Sequence, residues 1–436
     1  MTPSSQSRSG DDMRKSEPSL SEAFNAFGKI GVLSFGGPAA QISLMHKVLV
    51  DEKHWLTERQ FLNALSFCML LPGPEAMQLA TYAGWRLHGV LGGLMAGMLF
   101  VLPGAAVILA LATIYAYFGQ VPLVSALFLG VKAAVLVIVV EALLRVAKKA
   151  LNGALYWAIA VAAFIGIFFL SLPFPLIVLL AALVGFFAGS GADEPEEEPV
   201  ETRVPISKTL STIALWLAIW WVPVIILGQM FDIPVLNEIG FFFSKLAVVT
   251  FGGAYAVLAY MGQQVVEGYG WLSAGEMMDG LGLAETTPGP LILVTEFVGF
   301  LAAFRSGGFW LGVTGAVLTL WVTFVPCFLW IFAGAPYIEW ISAQPRLRNA
   351  LSAITAAVVG VILNLSIWFA LHVIFETVTR KQWGILTLWQ PDLSTADWRV
   401  IVLSLLCAIM LLRFHWDIVR VLTVSAALGW ALVTFF

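Results

Sequence analysis

The sequence predicts an all-α polytopic integral membrane protein of about 13 spans: two inverted-topology six-span repeats joined by one linker helix, with discontinuous helices in each repeat. Three observations carry this. The 436 residues are 60% hydrophobic and 11% charged, with a mean hydropathy of +0.90, whereas a soluble protein carries about 25% charged residues. Apolar stretches of roughly 20 residues recur along most of the chain, the length a helix needs to cross a bilayer. The short alternating segments of a β-barrel do not dominate. Finally, the chain repeats itself. Phe35-Gly36-Gly37 returns as Phe251-Gly252-Gly253, Met45 as Met261, Trp55-Leu56 as Trp271-Leu272, and Pro72-Gly73-Pro74 as Pro288-Gly289-Pro290, each 216 positions on. Beyond about seven extra residues near Phe304–Trp310, Ala133-Ala134-Val135 matches Ala356-Ala357-Val358. An internal duplication of this kind is the signature of a membrane carrier built from repeats.

Taken in order, residues 1–21 form a polar tail holding Arg8, Arg14 and Lys15. No apolar core with a cleavage site follows, so it reads as a cytoplasmic tail and not a signal peptide. The first repeat, 22–190, holds spans at 22–50, 60–86, 89–118, 122–147, 151–170 and 173–190. The stretch "GSGADEPEEEPVETRVP" marks an acidic cytoplasmic linker, 191–208, too polar and Pro-rich to pack. A connecting transmembrane helix, 209–229, has no partner in the first repeat. The second repeat, 230–436, holds spans at 236–264, 276–303, 307–333, 347–377, 398–413 and 416–435. One crossing between two six-span copies starts the second copy on the opposite face, which inverts it.

Loop charges agree with a cytoplasmic N-terminus. Arg8, Arg14, Lys15, Arg86, Arg145, Lys148, Lys149, Arg203, Lys208, Arg346, Arg348, Arg413 and Arg420 fall inside; Lys47, Lys53, Arg59, Arg305, Arg380, Lys381 and Arg399 fall outside, the expected bias.

The breaks carry the chemistry. Gly36-Gly37-Pro38 and Pro72-Gly73-Pro74 interrupt the first two spans of one repeat; Gly252-Gly253-Ala254 and Pro288-Gly289-Pro290 interrupt those of the other. Each can start a half-helix with Gly as N-cap, and with Pro as first helical residue in three of the four. Free N–H groups and a macrodipole of about half a charge then sit at each tip, so four tips sum to about +2. Brought together, they suit a dianion; the alternative role is packing kinks. Lys29 and Lys245, about two turns before the Gly-Gly breaks, tune the field or snorkel to the interface. Gln41, Thr286 and Thr287 (with Asn63 and Gln78) donate to the substrate or to backbone groups freed by the breaks. Glu75 and Glu285 flank the Pro-Gly-Pro motifs. Intramembrane carboxylates are costly and mark function, so they are proton-coupling candidates; the alternatives are a helix-start acid and an acid at an aqueous mouth.

The small-residue stripe Gly89, Gly93, Gly97, repeated at Gly308, Gly312, Ala316, suits close helix packing within the chain or in a homodimer. Cys68, Cys327 and Cys407 stand singly, with no disulfide or metal spacing. No Walker, His-Glu-x-x-His or Gly-x-Ser-x-Gly motif occurs, so neither ATP-driven nor hydrolytic chemistry is expected, nor a cofactor or a nucleic-acid partner.

The segments "FGGPAAQISLMHKVLVDEKHWLTERQFLNALSFCMLLPGPEAMQLATYAGW" (Phe35–Trp85) and "FGGAYAVLAYMGQQVVEGYGWLSAGEMMDGLGLAETTPGPLILVTEFVGF" (Phe251–Phe300) resemble the two signatures of the chromate ion transporter family. The resemblance spans nearly all of 22–436. It implies a long, two-domain bacterial carrier, not an enzyme, that expels chromate using the proton motive force, with sulfate as a related ion and lipids as surroundings. The second half departs from the first in reading Gly-Gly-Ala for Gly-Gly-Pro.

Overall fold

The structure, a computed structural model, describes residues 18–188, 205–231, 233–251, 254–338, 341 and 344–435. The N-terminal tail, most of the acidic linker, and Gly252 and Gly253 of the second Gly-Gly break lie outside the described residues.

Helix α1 (Leu20–Leu33) opens on a capping box in which Ser19 and Glu22 satisfy each other's backbone N–H. It stops at Ser34, where Phe35-Gly36 turns the chain into α2 (Gly37–His46), which runs on as a π-helical turn, Lys47–Glu52. These pieces fold back on one another: Trp55 lies 6.4 Å from the Phe27 ring, and the Lys53 charge reaches Glu22 at the start of α1. Helix α3 (Glu58–Leu70), capped by Thr57 and Gln60, ends before Pro-Gly-Pro. Helix α4 (Glu75–Phe118) follows and packs on α3. It is two arms, because His88 and Gly89 leave helical geometry and Gly89 takes φ +60°. The arms lie side by side, with no room for a Cβ at Gly84 beside Gly92 or at Gly97 beside Thr81.

The second half repeats this. Helix α9 (Pro234–Val249) is followed by α10 (Ala254–Gln263) with its π-helical turn Gln264–Gly268. The chain then returns to α9, where Tyr269 and Trp271 lie 5.3 and 5.8 Å from the Phe242 ring. Helix α11 (Ala274–Thr286) precedes the second Pro-Gly-Pro, a 3-10 turn (Leu291–Leu293) and α12 (Val294–Gly334), which bends at Gly307-Gly308. Arg305, at the end of the first arm of α12, bonds Glu276 and the Trp271 carbonyl at the start of α11.

The segments 22–50, 236–264 and 276–303, expected as single interrupted crossings, are therefore hairpins closed at their own breaks, and 60–86 has the same order of pieces. Backbone geometry gives the reason. Gly36 (φ 85°), Gly37 (φ 80°), Gly73 (φ 118°) and Gly289 (φ 92°) adopt left-handed conformations that turn the chain, where a kink would keep its direction.

The other helices fall close to their expected places: α5 (Pro122–Ala150), α6 (Ala154–Phe168), α7 (Phe174–Ala188), α8 (Ile206–Phe231), α13 (Pro345–Ile374), α14 (Trp398–Ala408, continuing as a π-helical turn to Arg413) and α15 (Ile418–Phe435). Six helical segments among the described residues are long and apolar enough to cross a membrane. One departure from an all-α chain is an antiparallel hairpin, β1 (Val378–Trp383) and β2 (Leu386–Pro391), turned at Gly384 with φ 61°. The alternating "VTRKQWGILTLWQP" favours such a pair. Its Thr387 N–H bonds the Phe169 carbonyl.

The halves exchange helices. Helix α5 packs on α14 and α15, and α13 packs on α6 and α7. Small residues make the closest approaches: Gly130 and Gly429 between α5 and α15, Gly360 between α13 and α6, Gly185 between α7 and α13. The glycine stripe is used inside the chain too, with Gly93 against Phe332, Gly97 against Phe328 and Gly312 against Phe300.

Candidate functional site

Each Pro-Gly-Pro break pairs with the end of the helix that precedes the Gly-Gly break of the opposite half. The Gly73 N–H, in the first Pro-Gly-Pro, donates to the Thr250 carbonyl just before the second Gly-Gly at 2.8 Å; the Gly289 N–H donates to the Ser34 carbonyl just before the first Gly-Gly, also at 2.8 Å. These are corresponding atoms of the two repeats. Each Pro-Gly-Pro also lies against the opposite half. A Cβ on Gly73 would sit 2.9 Å from Cys327 Sγ, one on Gly289 would sit 3.6 Å from the Gly104 Cα, and one on Gly104 would strike the Pro288 carbonyl.

Gln41, 1% exposed, clips one pair, its Nε2 donating to the Gly289 carbonyl at 2.6 Å and reaching the Ser34 carbonyl at 3.5 Å. Its repeat counterpart is Val257, so the clip exists once. Replacing Gln41 by Leu leaves those carbonyls without this donor. We expect a loss of about 1–3 kcal/mol, read as a lower melting temperature in detergent together with slower anion flux.

Each tip joins the C-terminus of one half-helix to the N-terminus of the next, so negative dipole ends accompany the positive ones. The expected sum of +2 is therefore opposed by the carbonyl ends, and capping decides which sign is presented. The carbonyl ends are occupied: Ser34 Oγ donates to the Ile30 carbonyl at 2.6 Å and Thr250 Oγ1 to the Leu246 carbonyl at 2.6 Å. Thr286 and Thr287 donate to the Leu283 and Ala284 carbonyls at 2.8 and 3.0 Å, and Gln78 to the Pro72 carbonyl at 2.7 Å. By contrast, α2, α4 and the turn before α12 start at Gly36, Pro74 and Pro290 with no side-chain cap. The helix starts at the tips thus lack side-chain caps, while side chains occupy the carbonyls. Proline stands one place off the first helical position in these three, at the N-cap of two and second in α2. A residue before proline disfavours helical geometry, and Gly73 and Gly289, with positive φ, stay outside the helices that follow.

A cavity of about 450 Å³ opens beside the first Gly-Gly, lined by Phe35, Gly36, Glu141, Arg145, Glu285 and the segment 411–419 that includes His415 and Asp417. Glu285, 6% exposed, accepts the Tyr255 hydroxyl at 2.6 Å. Arg145 Nη2 contacts both oxygens of Glu141 at 2.5 Å. A Cβ at Gly37 would meet nothing within 4 Å, so the space beside its Cα is open. A smaller cavity of about 220 Å³ lies at the far end of α10, among Gln263, Gln264, Glu267, Asn364 and Arg380. There Arg380 bonds Glu267 at 3.3 Å and Ser171 at 3.0 Å.

The expected site residues divide accordingly. Gly36, Gly37, Pro38, Gly73, Gly289, Gln41, Thr286, Thr287 and Glu285 gather at the tips. Ala254 begins α10, while Gly252 and Gly253 are not described. Glu75 is half-buried at the first turn of α4, under the influence of Lys149, and does not line the Glu285 cavity. Lys29 and Lys245 stay exposed. The packed stripe of α1 is Ala23, Ala26, Phe27, Ile30 and Gly31, and Lys29 falls off it; Lys245 lies over the Tyr260 ring at 5.7 Å.

Reading the sequence missed Glu141 with Arg145, Tyr255, Asp279 and Glu296. Glu296 is 1% exposed and its Oε2 has no partner. For Glu141 and Glu296 the signal was there: acids inside "VIVVEALLR" and "LILVTEFVGF", where a charge in an apolar run is expensive.

The Chromate transporter family model matches residues 21–186 and 237–430. This chain belongs to the chromate transporter family. Family relatives include a "Probable chromate transport protein" of Synechococcus elongatus, 30% identical over 79% of this chain and 83% of the relative. The "Chromate transport protein" of Cupriavidus metallidurans is 30% identical over 81% of this chain and 83% of its own length. One of the same name from Pseudomonas aeruginosa is 31% identical over 79% of each. Members of the family are transporters, not enzymes, and this chain is a multi-pass membrane protein of that kind. No solved structure matches the chain.

Proposed function

We propose that this chain is a secondary active carrier that exports a tetrahedral oxyanion, chromate foremost with sulfate as a competing ion, from the cytoplasm at the expense of the proton motive force. The crossed pairing of the breaks carries this reading. Gly73 with Thr250 and Gly289 with Ser34 tie the breaks of one repeat to those of the other, and the first Gly-Gly borders a cavity holding Arg145 and the carboxyl of Glu285. The N–H groups and Arg145 receive the anion; Glu285, with Glu75 near it in sequence role, carries the proton.

The proposed topology keeps the inverted repeat but reduces the crossings to nine: the second arm of α4, α5, α6, α7, α8, the second arm of α12, α13, α14 and α15. The hairpins enter and leave on one face. This returns Lys47, Lys53 and Arg59 to the N-terminal face, so thirteen basic residues inside against seven outside become sixteen against four. That is a firmer positive-inside bias, with the N-terminus in the cytoplasm and the protein in the inner membrane. The Glu285 cavity then opens inward and the Arg380 cavity outward. Cysteine placed at Lys53 is expected to react with an impermeant maleimide only from the face of the N-terminus; labelling from the other face would restore a full crossing at 22–50.

Because α5 and α13 are exchanged between halves, rocking one half against the other would tear their glycine contacts. The moving parts we favour are the hairpins, sliding against the long helices. A passive anion channel would use the same dipoles. Uphill accumulation separates the two, since a channel cannot concentrate its ion. Labelled chromate and sulfate offered to inverted vesicles, with and without a proton gradient, should accumulate only with the gradient; equilibration alone would point to a channel.

A further inference from the structure

Asp279 sits near the middle of α11 and is 3% exposed. Its Oδ2 accepts the Tyr115 hydroxyl at 2.7 Å and faces Lys132 Nζ at 3.5 Å, while Oδ1 has no partner. Tyr115 belongs to the far end of α4 and Lys132 to α5, so the first half supplies hydroxyl and amine while the second supplies the acid. The Tyr115 ring is pinned at its edge by Phe128 and Phe297, at 5.3 and 5.2 Å. The counterpart of Asp279 in the first repeat is Asn63, exposed on α3, so the cluster occurs once. Asp279 lies six residues before Glu285, on the side of it nearer the start of α11.

We infer that Asp279, Lys132 and Tyr115 form a proton-operated lock between α11 and the α4–α5 pair. The inference rests on the carrier reading for its role, but not for its existence. A buried ion pair with an unsatisfied carboxylate oxygen is held at little net gain, because desolvation offsets the attraction. Oδ1 is where a proton lands: it converts Asp279 to a neutral acid and leaves Lys132 without its counter-charge. The Lys132 side chain is 27% exposed, so the pair is not sealed off from the protein surface. The other charge bearing on Asp279 is Glu276, one turn back on α11 and itself held by Arg305 of α12. Helices α13 and α15 also pack on α11, but none of their groups is among those acting most strongly on the acid. In the carrier, ionised Asp279 keeps the outer end shut while the inner cavity is open. Protonation from outside releases it.

The test is amide hydrogen exchange of the α11 segment in the full-length protein in detergent, at about pH 5 and about pH 8, corrected for intrinsic exchange rates. Wild type should lose protection at the lower pH by at least about tenfold. Asp279→Asn should exchange fast at both, and Lys132→Gln should do the same if Asp279→Asn folds poorly. Tyr115→Phe should fall between. Equal wild-type protection at both pH values, or an Asp279→Asn protein as protected as wild type at the higher one, overturns the lock. In proteoliposomes, Asp279→Asn should keep chromate–chromate exchange and lose stimulation by a proton gradient. Should wild type open with acid yet carry no oxyanion, the lock stands and the carrier reading falls.

Discussion

Gly289→Leu is expected to lower oxyanion flux by at least about a hundredfold while the protein still inserts and folds. Gly289 has φ 92° and its N–H bonds the Ser34 carbonyl. A left-handed conformation costs an L-residue about 1–2 kcal/mol. A Cβ there would also crowd Leu293 Cδ1 at 3.0 Å, and a longer side chain must push towards α4. The Pro288–Gly289 turn would withdraw from Ser34, breaking one crossed pair and misaiming the uncapped helix start. Losing about 3 kcal/mol of transition-state stabilisation slows a step by roughly a hundredfold. Gly384→Ala is the control. Gly384 also has positive φ, 61°, with open space around it, but it lies in the β-hairpin turn. It should cost comparable strain and leave flux intact. Gly73→Leu should behave like Gly289→Leu, since Gly73 makes the symmetrical bond to Thr250.

Glu285→Gln combined with Glu75→Gln is expected to abolish the response of flux to a proton gradient. Glutamine keeps the shape of each side chain and cannot carry the proton. Glu285 is the stronger of the two candidates, because it is buried, bonded to Tyr255, and shares a cavity with Arg145. The double variant should still exchange labelled for unlabelled chromate down a gradient, which depends on the N–H groups and Arg145. Retained proton stimulation in the double variant would move the coupling role elsewhere, with Asp279 and the partnerless Glu296 next in line. The single variants rank the two acids: Glu285→Gln should carry most of the loss, and Glu75→Gln less.

The sequence made the duplication and the positions of the breaks readable, because repetition at a fixed spacing and Pro-Gly-Pro within apolar runs are local signals. Helices such as α5, α13 and α15 fell close to their expected bounds, since uniform apolar length is enough to mark them. What it hid was the sense of the breaks. Glycine permits a kink or a reversal, and only φ at Gly36, Gly37, Gly73 and Gly289 distinguishes them. That choice brought Trp55 back against Phe27 and turned crossings into hairpins. The dipole argument was incomplete for the same reason: a hairpin tip holds carbonyl ends as well as amide ends, and Ser34, Thr250, Thr286 and Thr287 are needed to quench them. Lys29 and Lys245 were drawn in by repeat symmetry, but helix phase puts them outside the packed stripe. Cross-half partners such as Tyr115 with Asp279, 164 residues apart, leave no mark in a single sequence.

The most direct test of the converging tips is chromate accumulation by inverted vesicles carrying wild type, Gly37→Leu or Gly253→Leu under an imposed proton gradient. Gly37 faces open space where the anion is proposed to lie, so a leucine there should occupy it. Uphill accumulation by wild type, and none by either variant at equal protein in the membrane, is the result this account predicts. Unchanged accumulation by both variants would contradict it, since an anion held elsewhere would be indifferent to a filled tip.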